Sequence, residues 1–354
     1  MTEPAFKSRE EETPQDWAAL DRHLKTRGHA LTGSEPPHQF ASGFGNLNYL
    51  LELDGELCVL RRPPTGPVPP GANDMGRENR ILSGLWREFP FAPRSLVFCD
   101  DTAVLGAPFF IMEYKPGLVI GGEMPADIAA REMPGAQLGA MLVSILHDLH
   151  QVNPDAVGLG DLGRPEGFRE RTAAGWVKRA GLAWDNEPPA VVGELGQWLA
   201  ADLKLPEQST SFLHNDFKLD NVVLDPESLK PVAVLDWDLG TRGDPLVDLG
   251  VMLGYWTEAG DPEAMQQLRQ MPTAGYGFPT REAVAADYAA RTGRDLSGFQ
   301  WYRVLTSFRV AVIFMQLHRR YREGGAGDPR FMEFGTLAEG LLDFSHEVAQ
   351  GRVF

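Results

Sequence analysis

Apolar and polar positions change their spacing partway along this chain, and the change divides it into a strand-rich front and a helical remainder. Between residues 16 and 26, Trp17 and Leu20 fall on one side of a predicted first helix. His38 to Phe44 then leads into a glycine-containing turn, and Tyr49 to Leu53 has the character of a strand. Asp54-Gly55 is a strong hairpin signal, because both central residues of the tightest hairpin turn need positive φ. Glu56 to Arg61 is the returning strand. Five prolines between Pro63 and Pro70 exclude regular structure and mark a loop. Ile81, Leu82 and Leu85 then recur at helical spacing within Met75 to Glu88. Strands are expected at Arg94 to Cys99 and Phe109 to Tyr114, before Pro116-Gly117 interrupts the chain.

Beyond that break the period is mostly helical. Leu138, Met141, Leu142, Ile145, Leu146 and Leu149 make one apolar stripe. Further helices are predicted at Gly167 to Trp184, Ala190 to Leu203, from Asp248, Trp301 to Arg322, and Phe331 to Ala349. An all-β interlude is predicted over Phe212 to Asp236, in which Val222 to Leu224 and Val232 to Leu235 flank a six-residue turn, Asp225 to Lys230. The expected fold class is α+β, with a small β-rich lobe at 1–114 (1–15 a loose tail) and a larger mainly helical lobe at 115–354.

Composition narrows the function by exclusion. The 354 residues are 43% hydrophobic, enough for a sizeable core, and carry a formal net charge of −16. That sign argues against a nucleic-acid partner, which requires clustered Lys and Arg. Cys58 and Cys99 are the two cysteines, both in apolar runs, so neither a disulfide framework nor a structural zinc site is expected. No apolar run approaches the roughly 20 residues of a membrane helix, and the polar N-terminus lacks a signal core. The expectation is a cytoplasmic protein with no membrane or nucleic-acid partner. Oligomeric state is not legible.

The chemistry concentrates in His214-Asn-Asp-Phe-Lys-Leu-Asp-Asn221 and the hairpin after it, which ends in Asp236-Trp-Asp238. Asp216 offers a carboxylate, Asn221 an amide oxygen five residues later, and the hairpin returns Asp236 toward the loop. Phosphoryl transfer to a hydroxyl needs a proton acceptor and divalent metal on the nucleotide phosphates, with little further covalent help. Asp216 can take the proton. Asn221 and Asp236 are hard oxygen donors suited to Mg²⁺. Should 236 to 238 be extended, Asp236 and Asp238 share a face. Asp248 is expected as a helix cap or a strut to the loop backbone. His214 is expected to be structural, and His147 and His150 core or surface histidines.

His214-Asn-Asp-x-x-x-x-Asn221 resembles the catalytic loop of protein kinases, with Asn215 in place of arginine. Together with Leu235-Asp-Trp237 and Gly243-Asp-Pro-Leu-Val-Asp-Leu249, it is more similar to the aminoglycoside and choline phosphotransferases, above all to the branch found fused to acyl-CoA dehydrogenases. The resemblance runs from about Gln39 to the C-terminus. It implies a bilobal protein-kinase-like fold, with ATP and Mg²⁺ as cofactors and a small-molecule hydroxyl as phosphate acceptor. Lys218 would neutralise developing charge beside Asp216.

In the first lobe the resemblance makes Gly43, Gly45 and Asn46 a phosphate-covering turn, although a third glycine is missing. Arg61 stands where the family lysine holds the α- and β-phosphates, and Glu78 would pair with it. Arg62 should point the other way. Glu113 and Tyr114 would form the hinge whose backbone holds adenine. No Ala-Pro-Glu segment follows Asp236, which argues against a protein kinase. The acyl-CoA-dehydrogenase branch implies a hydroxyacyl-CoA-like acceptor. An aminoglycoside acceptor, or a nucleotide-binding regulator without turnover, are the alternatives.

Overall fold

A computed structural model describes residues 5–41, 45–66, 73–201, 205–324 and 329–354. The chain forms two compact units. The first comprises residues 1–118, 153–160 and 222–240, and the second 119–152, 161–221 and 241–354.

The first unit is built on a five-stranded antiparallel sheet, with His38–Gln39, Leu47–Leu53, Glu56–Arg62, Phe109–Glu113 and Ser95–Cys99 in spatial order. The hairpin forms as the sequence predicts, with Asp54 and Gly55 both at positive φ and Leu53 opposite Glu56. One face of the sheet is covered by the helix Trp17–Thr26. Its Leu20 and Leu24 are buried against Tyr49, Leu51, Leu60, Phe109 and Ile111, while Asp16 caps its start by accepting the Ala19 N–H at 2.8 Å.

Asp74 likewise caps the helix Met75–Gly84, which tightens into a single 3₁₀ turn at Leu85–Arg87 instead of continuing regularly to Glu88. Gly84 packs directly on the Val157 carbonyl, where a Cβ would lie 2.1 Å from that oxygen. The strands Val222–Leu224 and Pro231–Val234 pair antiparallel, and Asp225 closes their turn by accepting the Ser228 N–H at 2.8 Å. Trp237, fully buried, packs edge-on against Phe89.

The second unit is mainly helical: Pro134–Gln151, Phe168–Ala183, Ala190–Ala200, Pro245–Gly254, Arg281–Thr292, Phe299–Arg322 and Phe334–Ala349 are its longer helices. In Phe299–Arg322 every residue from Trp301 to Val312 is buried. Ser211–Leu213 pairs antiparallel with Thr241–Gly243.

Two sequence expectations need correction. The helix expected from Asp248 starts at Pro245, since Asp244 caps it and proline is pre-shaped for the first helical position, so Asp248 lies inside the first turn. The stretch 212–236 is not all strand either. A loop and a 3₁₀ turn at Leu219–Asn221 separate Ser211–Leu213 from the hairpin. Cys58 and Cys99 are buried free thiols, as expected. Among the described residues no helix is long and apolar enough to cross a membrane.

Candidate active site

In the second unit, the loop from His214 to Asn221 is held by groups far away in sequence. Asp248 accepts two of its backbone N–H groups, His214 at 2.8 Å and Asn215 at 2.6 Å. This is the strut expected from the sequence. Neither side chain of the Asp248–His150 pair is exposed, and His150 Nε2 lies 3.3 Å from Asp248 Oδ2, the oxygen that also accepts the His214 N–H. His150 Nδ1 meets the Tyr288 hydroxyl at 2.8 Å. A neutral imidazole with its proton on Nε2 satisfies both contacts. Burial holds the His150 imidazole below its ordinary pKa, against the opposing pull of Asp248.

Asn215 adopts a left-handed conformation, φ +63°. Arg309, on the helix Phe299–Arg322, secures it. Nη1 donates to Asn215 Oδ1 at 2.8 Å and Nη2 to the Asn215 carbonyl at 2.6 Å. Nη2 also lies 3.8 Å from Asp216 Oδ1. His214 is fully buried and structural, as expected, with its Nδ1 facing the Asp216 N–H at 3.2 Å. Asn221 donates from Nδ2 to the Asp216 carbonyl at 2.8 Å, so its side-chain oxygen is the end that remains for ligation. Lys218 grips both oxygens of Asp220 at 2.7 Å, and its Nζ sits 5.8 Å from the centre of the Tyr255 ring. Burial opposes its charge, but the Asp216 and Asp220 carboxylates outweigh burial and hold Lys218 protonated.

A cavity of about 320 Å³ in the same unit is lined by Glu123, Met124, Arg269, Met271, Pro272 and Tyr276 among others. Met271 reaches the loop through its sulfur, which accepts the Leu219 N–H at 3.3 Å.

In the first unit, Arg61, Glu78 and Asp236 form one cluster. Arg61 Nε donates to Glu78 Oε2 at 2.8 Å, both side chains being buried, and Nη2 contacts Asp236 Oδ1. Glu78 Oε1 accepts the Trp237 N–H at 3.3 Å. Burial pushes the Glu78 carboxyl up, with Arg61 pulling the other way. Burial also opposes the Arg61 charge, yet Glu78 and Asp236 more than offset it. Arg62 points elsewhere, to Gln15 and the Leu105 carbonyl, as strand alternation requires.

Asp236 departs from one expectation. Its φ is +67°, so 236 to 238 is not extended and the shared face inferred for Asp236 and Asp238 has no basis. Asp244 caps its helix and is bonded by Arg169 at 2.6 Å and by Tyr302 at 2.7 Å.

Asn46 is buried, and Asn73 ties its turn by donating to the Gly45 carbonyl at 3.0 Å and to Asn46 Oδ1 at 2.8 Å. Gly43 lies outside the described residues. The Glu113 N–H is bonded to the Arg94 carbonyl at 3.0 Å and the Tyr114 N–H to that of Leu57 at 3.3 Å, while the Glu113 side chain pairs with Lys115.

Among the described residues no group of three or more His, Cys, Asp or Glu is arranged to hold a metal. The amide oxygen of Asn221 in the second unit and the carboxylate of Asp236 in the first are each hard donors of the kind Mg²⁺ takes, one or two at a time, with water and phosphate in its other positions. Sequence reasoning missed Arg309 and Asn73. Arg309 carries no local signal, lying more than 90 residues from the loop it binds. Asn73, directly before the Asp74 cap, falls in a stretch whose glycine and prolines mark only a loop.

Comparison with known proteins places the chain in a family. The phosphotransferase enzyme family (APH) matches residues 38–286, and the chain belongs to it. It is 31% identical over 340 residues to mouse acyl-CoA dehydrogenase family member 10, covering 95% of this chain and 31% of that one. It is 28% identical over 337 residues to human acyl-CoA dehydrogenase family member 11, covering 92% of this chain and 41% of the relative. The chain thus spans about a third to two fifths of the length of these curated relatives. A solved structure from Ralstonia eutropha JMP134, assigned provisionally to the aminoglycoside phosphotransferases, superposes with a TM-score of 0.76 at 26% identity, covering 96% of this chain and 99% of that one. The aminoglycoside phosphotransferase APH(4)-Ia, solved with ADP and hygromycin B, shares the fold at a TM-score of 0.59 and 16% identity, over 93% of this chain and 98% of its own. The protein is a small-molecule kinase with the bilobal kinase-like fold.

Proposed function

We propose that this phosphotransferase moves the γ-phosphate of ATP, with Mg²⁺, to the hydroxyl of a small metabolite, and that the acceptor is a hydroxyacyl-CoA-like molecule. The new bond joins the acceptor oxygen to the γ-phosphorus. The bond broken links that phosphorus to the β–γ bridging oxygen, which leaves with ADP. Asp216 orients the acceptor hydroxyl and takes its proton. Lys218, kept charged by Asp216 and Asp220, offsets charge developing on the transferred group. Arg61 binds the α- and β-phosphates, with Glu78 fixing its guanidinium. Gly43, Gly45 and Asn46 cover the phosphates, and the backbone of Glu113 and Tyr114 holds the adenine through carbonyl oxygens, their N–H groups being bonded to Arg94 and Leu57. Asn221 and Asp236 would hold the metal, which supplies neutralisation of phosphate charge.

The observation that carries this reading is the buried Arg61–Glu78 pair with Asp236 joined to it. A strand cation, a helix carboxylate and a carboxylate following the hairpin are the three parts the nucleotide end of the reaction needs, and they are held in one network. The acceptor assignment is supported by the two curated relatives described above, both named as acyl-CoA dehydrogenase family members. Mg-ATP turnover across a panel of hydroxylated acceptors, read as ADP release, tests the function. Asp216→Ala should lower kcat by at least about 10²–10⁴-fold with nucleotide affinity retained, the range expected for loss of a general base. Retained turnover in that variant would remove Asp216 from its role.

A further inference from the structure

We propose that Arg309 is a positioning residue for phosphoryl transfer: its guanidinium, supplied by a helix remote from the loop, sets the backbone of Asn215 and thereby the carboxylate of Asp216. The inference rests on Asp216 acting as the proton acceptor.

Asparagine enters the left-handed region more readily than other non-glycine residues, and Asn215, at φ +63°, is fixed there by bonds to both sides of its backbone. Asp248 holds the N–H side of the loop. Arg309 holds its oxygen side, through the Asn215 carbonyl at 2.6 Å and Oδ1 at 2.8 Å. The planar fork that makes both bonds also brings Nη2 within 3.8 Å of Asp216 Oδ1. Lysine, with a single ammonium, cannot reproduce this two-point geometry.

A further observation bears on the strength of these contacts. The Trp176 ring lies 5.3 Å from the Arg309 guanidinium carbon, and the side chain is only 4% exposed, so these bonds operate with little competition from water.

Steady-state kinetics on Arg309→Lys and Arg309→Gln test the proposal, with ADP release followed both with hydroxylated acceptors and with water as the acceptor. Thermal melting serves as the control for folding. Both variants should melt as cooperatively as the parent and lose at least about 30-fold in kcat, with KM for ATP within about twofold, since a misplaced base slows chemistry without weakening nucleotide binding. Unchanged kcat in folded variants overturns the inference, as does a loss confined to KM. Should neither variant fold, Asn215→Gly carries the test. It permits the left-handed conformation while removing the side-chain acceptor of Arg309 Nη1, so kcat should fall several-fold, and an unchanged kcat overturns the proposal. Activity lost in Asp216→Ala but kept in the Arg309 variants sinks this inference alone. Full activity in Asp216→Ala, or no ADP release from the parent protein, sinks the functional reading and this inference together.

Discussion

Glu78 receives the Nε–H of Arg61 at 2.8 Å in a site where both side chains are buried. Removing Glu78 takes its buried anionic partner from the Arg61 guanidinium and leaves it the partly exposed Asp236. Glu78→Ala should therefore destabilise the protein by up to about 3–5 kcal/mol, the range for breaking a buried pair from one side. Glu78→Gln, which keeps an acceptor oxygen, should lose less. Urea denaturation of both variants checks the order.

A second test concerns Asp248, whose carboxylate takes the His214 and Asn215 N–H groups and faces His150 Nε2. Asp248→Asn preserves size but turns one acceptor into a donor, opposite an N–H. Stability should fall by about 1–3 kcal/mol, the cost of an unsatisfied buried group. Because the loop carrying Asp216 shifts with it, kcat should fall by about 10²-fold. Kinetics and melting on one preparation measure both.

Acidification should weaken the fold through His150. Burial keeps its native imidazole neutral below the pH at which the unfolded histidine, with pKa about 6.5, takes up a proton. The unfolded state then binds more protons than the native one, so stability falls as pH drops below about 6.5, by at most about 1.4 kcal/mol per pH unit for this group. It is unaffected by this group above that pH. In His150→Gln the slope of stability against pH between 5 and 6.5 should flatten. An unchanged slope would assign the effect to other groups.

Two helical glycines should respond oppositely to alanine. A Cβ on Gly84 would meet the Val157 carbonyl at 2.1 Å, whereas one on the exposed Gly193 has nothing within 4 Å. Gly84→Ala should destabilise by about 1–3 kcal/mol through overpacking. Gly193→Ala should stabilise by about 0.5–1 kcal/mol, through the intrinsic preference for alanine in helices. Melting temperatures of the two variants decide.

The parts of the site legible from the sequence were those fixed by short-range rules. Positive φ at Asp54-Gly55 follows from turn chemistry. Two-residue alternation sends Arg61 and Arg62 to different partners. The loop spacing led to Asp216 and Asn221, which are joined by a hydrogen bond from the Asn221 amide. What escaped was set by tertiary contact. The left-handed φ of Asp236 has no signal in Leu-Asp-Trp, since it is neither glycine nor in a turn pattern. Arg309 belongs to a helix so thoroughly buried that no amphipathic stripe singles out its polar face. Asp248 was placed at a helix start, but Asp244 followed by proline is the stronger start signal and took that position.

The first unit is assembled from three separate stretches of chain, and this imposes an order on biosynthesis. Glu78 and the Trp237 N–H it accepts are 159 residues apart, so a ribosome adding about 5–20 residues per second needs on the order of ten seconds to connect them. Throughout that interval the emerging sheet has neither Asp236 to share the charge of Arg61 nor Trp237 to cover Phe89. A polypeptide released early, before residue 236, would carry an exposed aromatic seam and an ionic cluster short of one member, making it a natural target for chaperones and proteases.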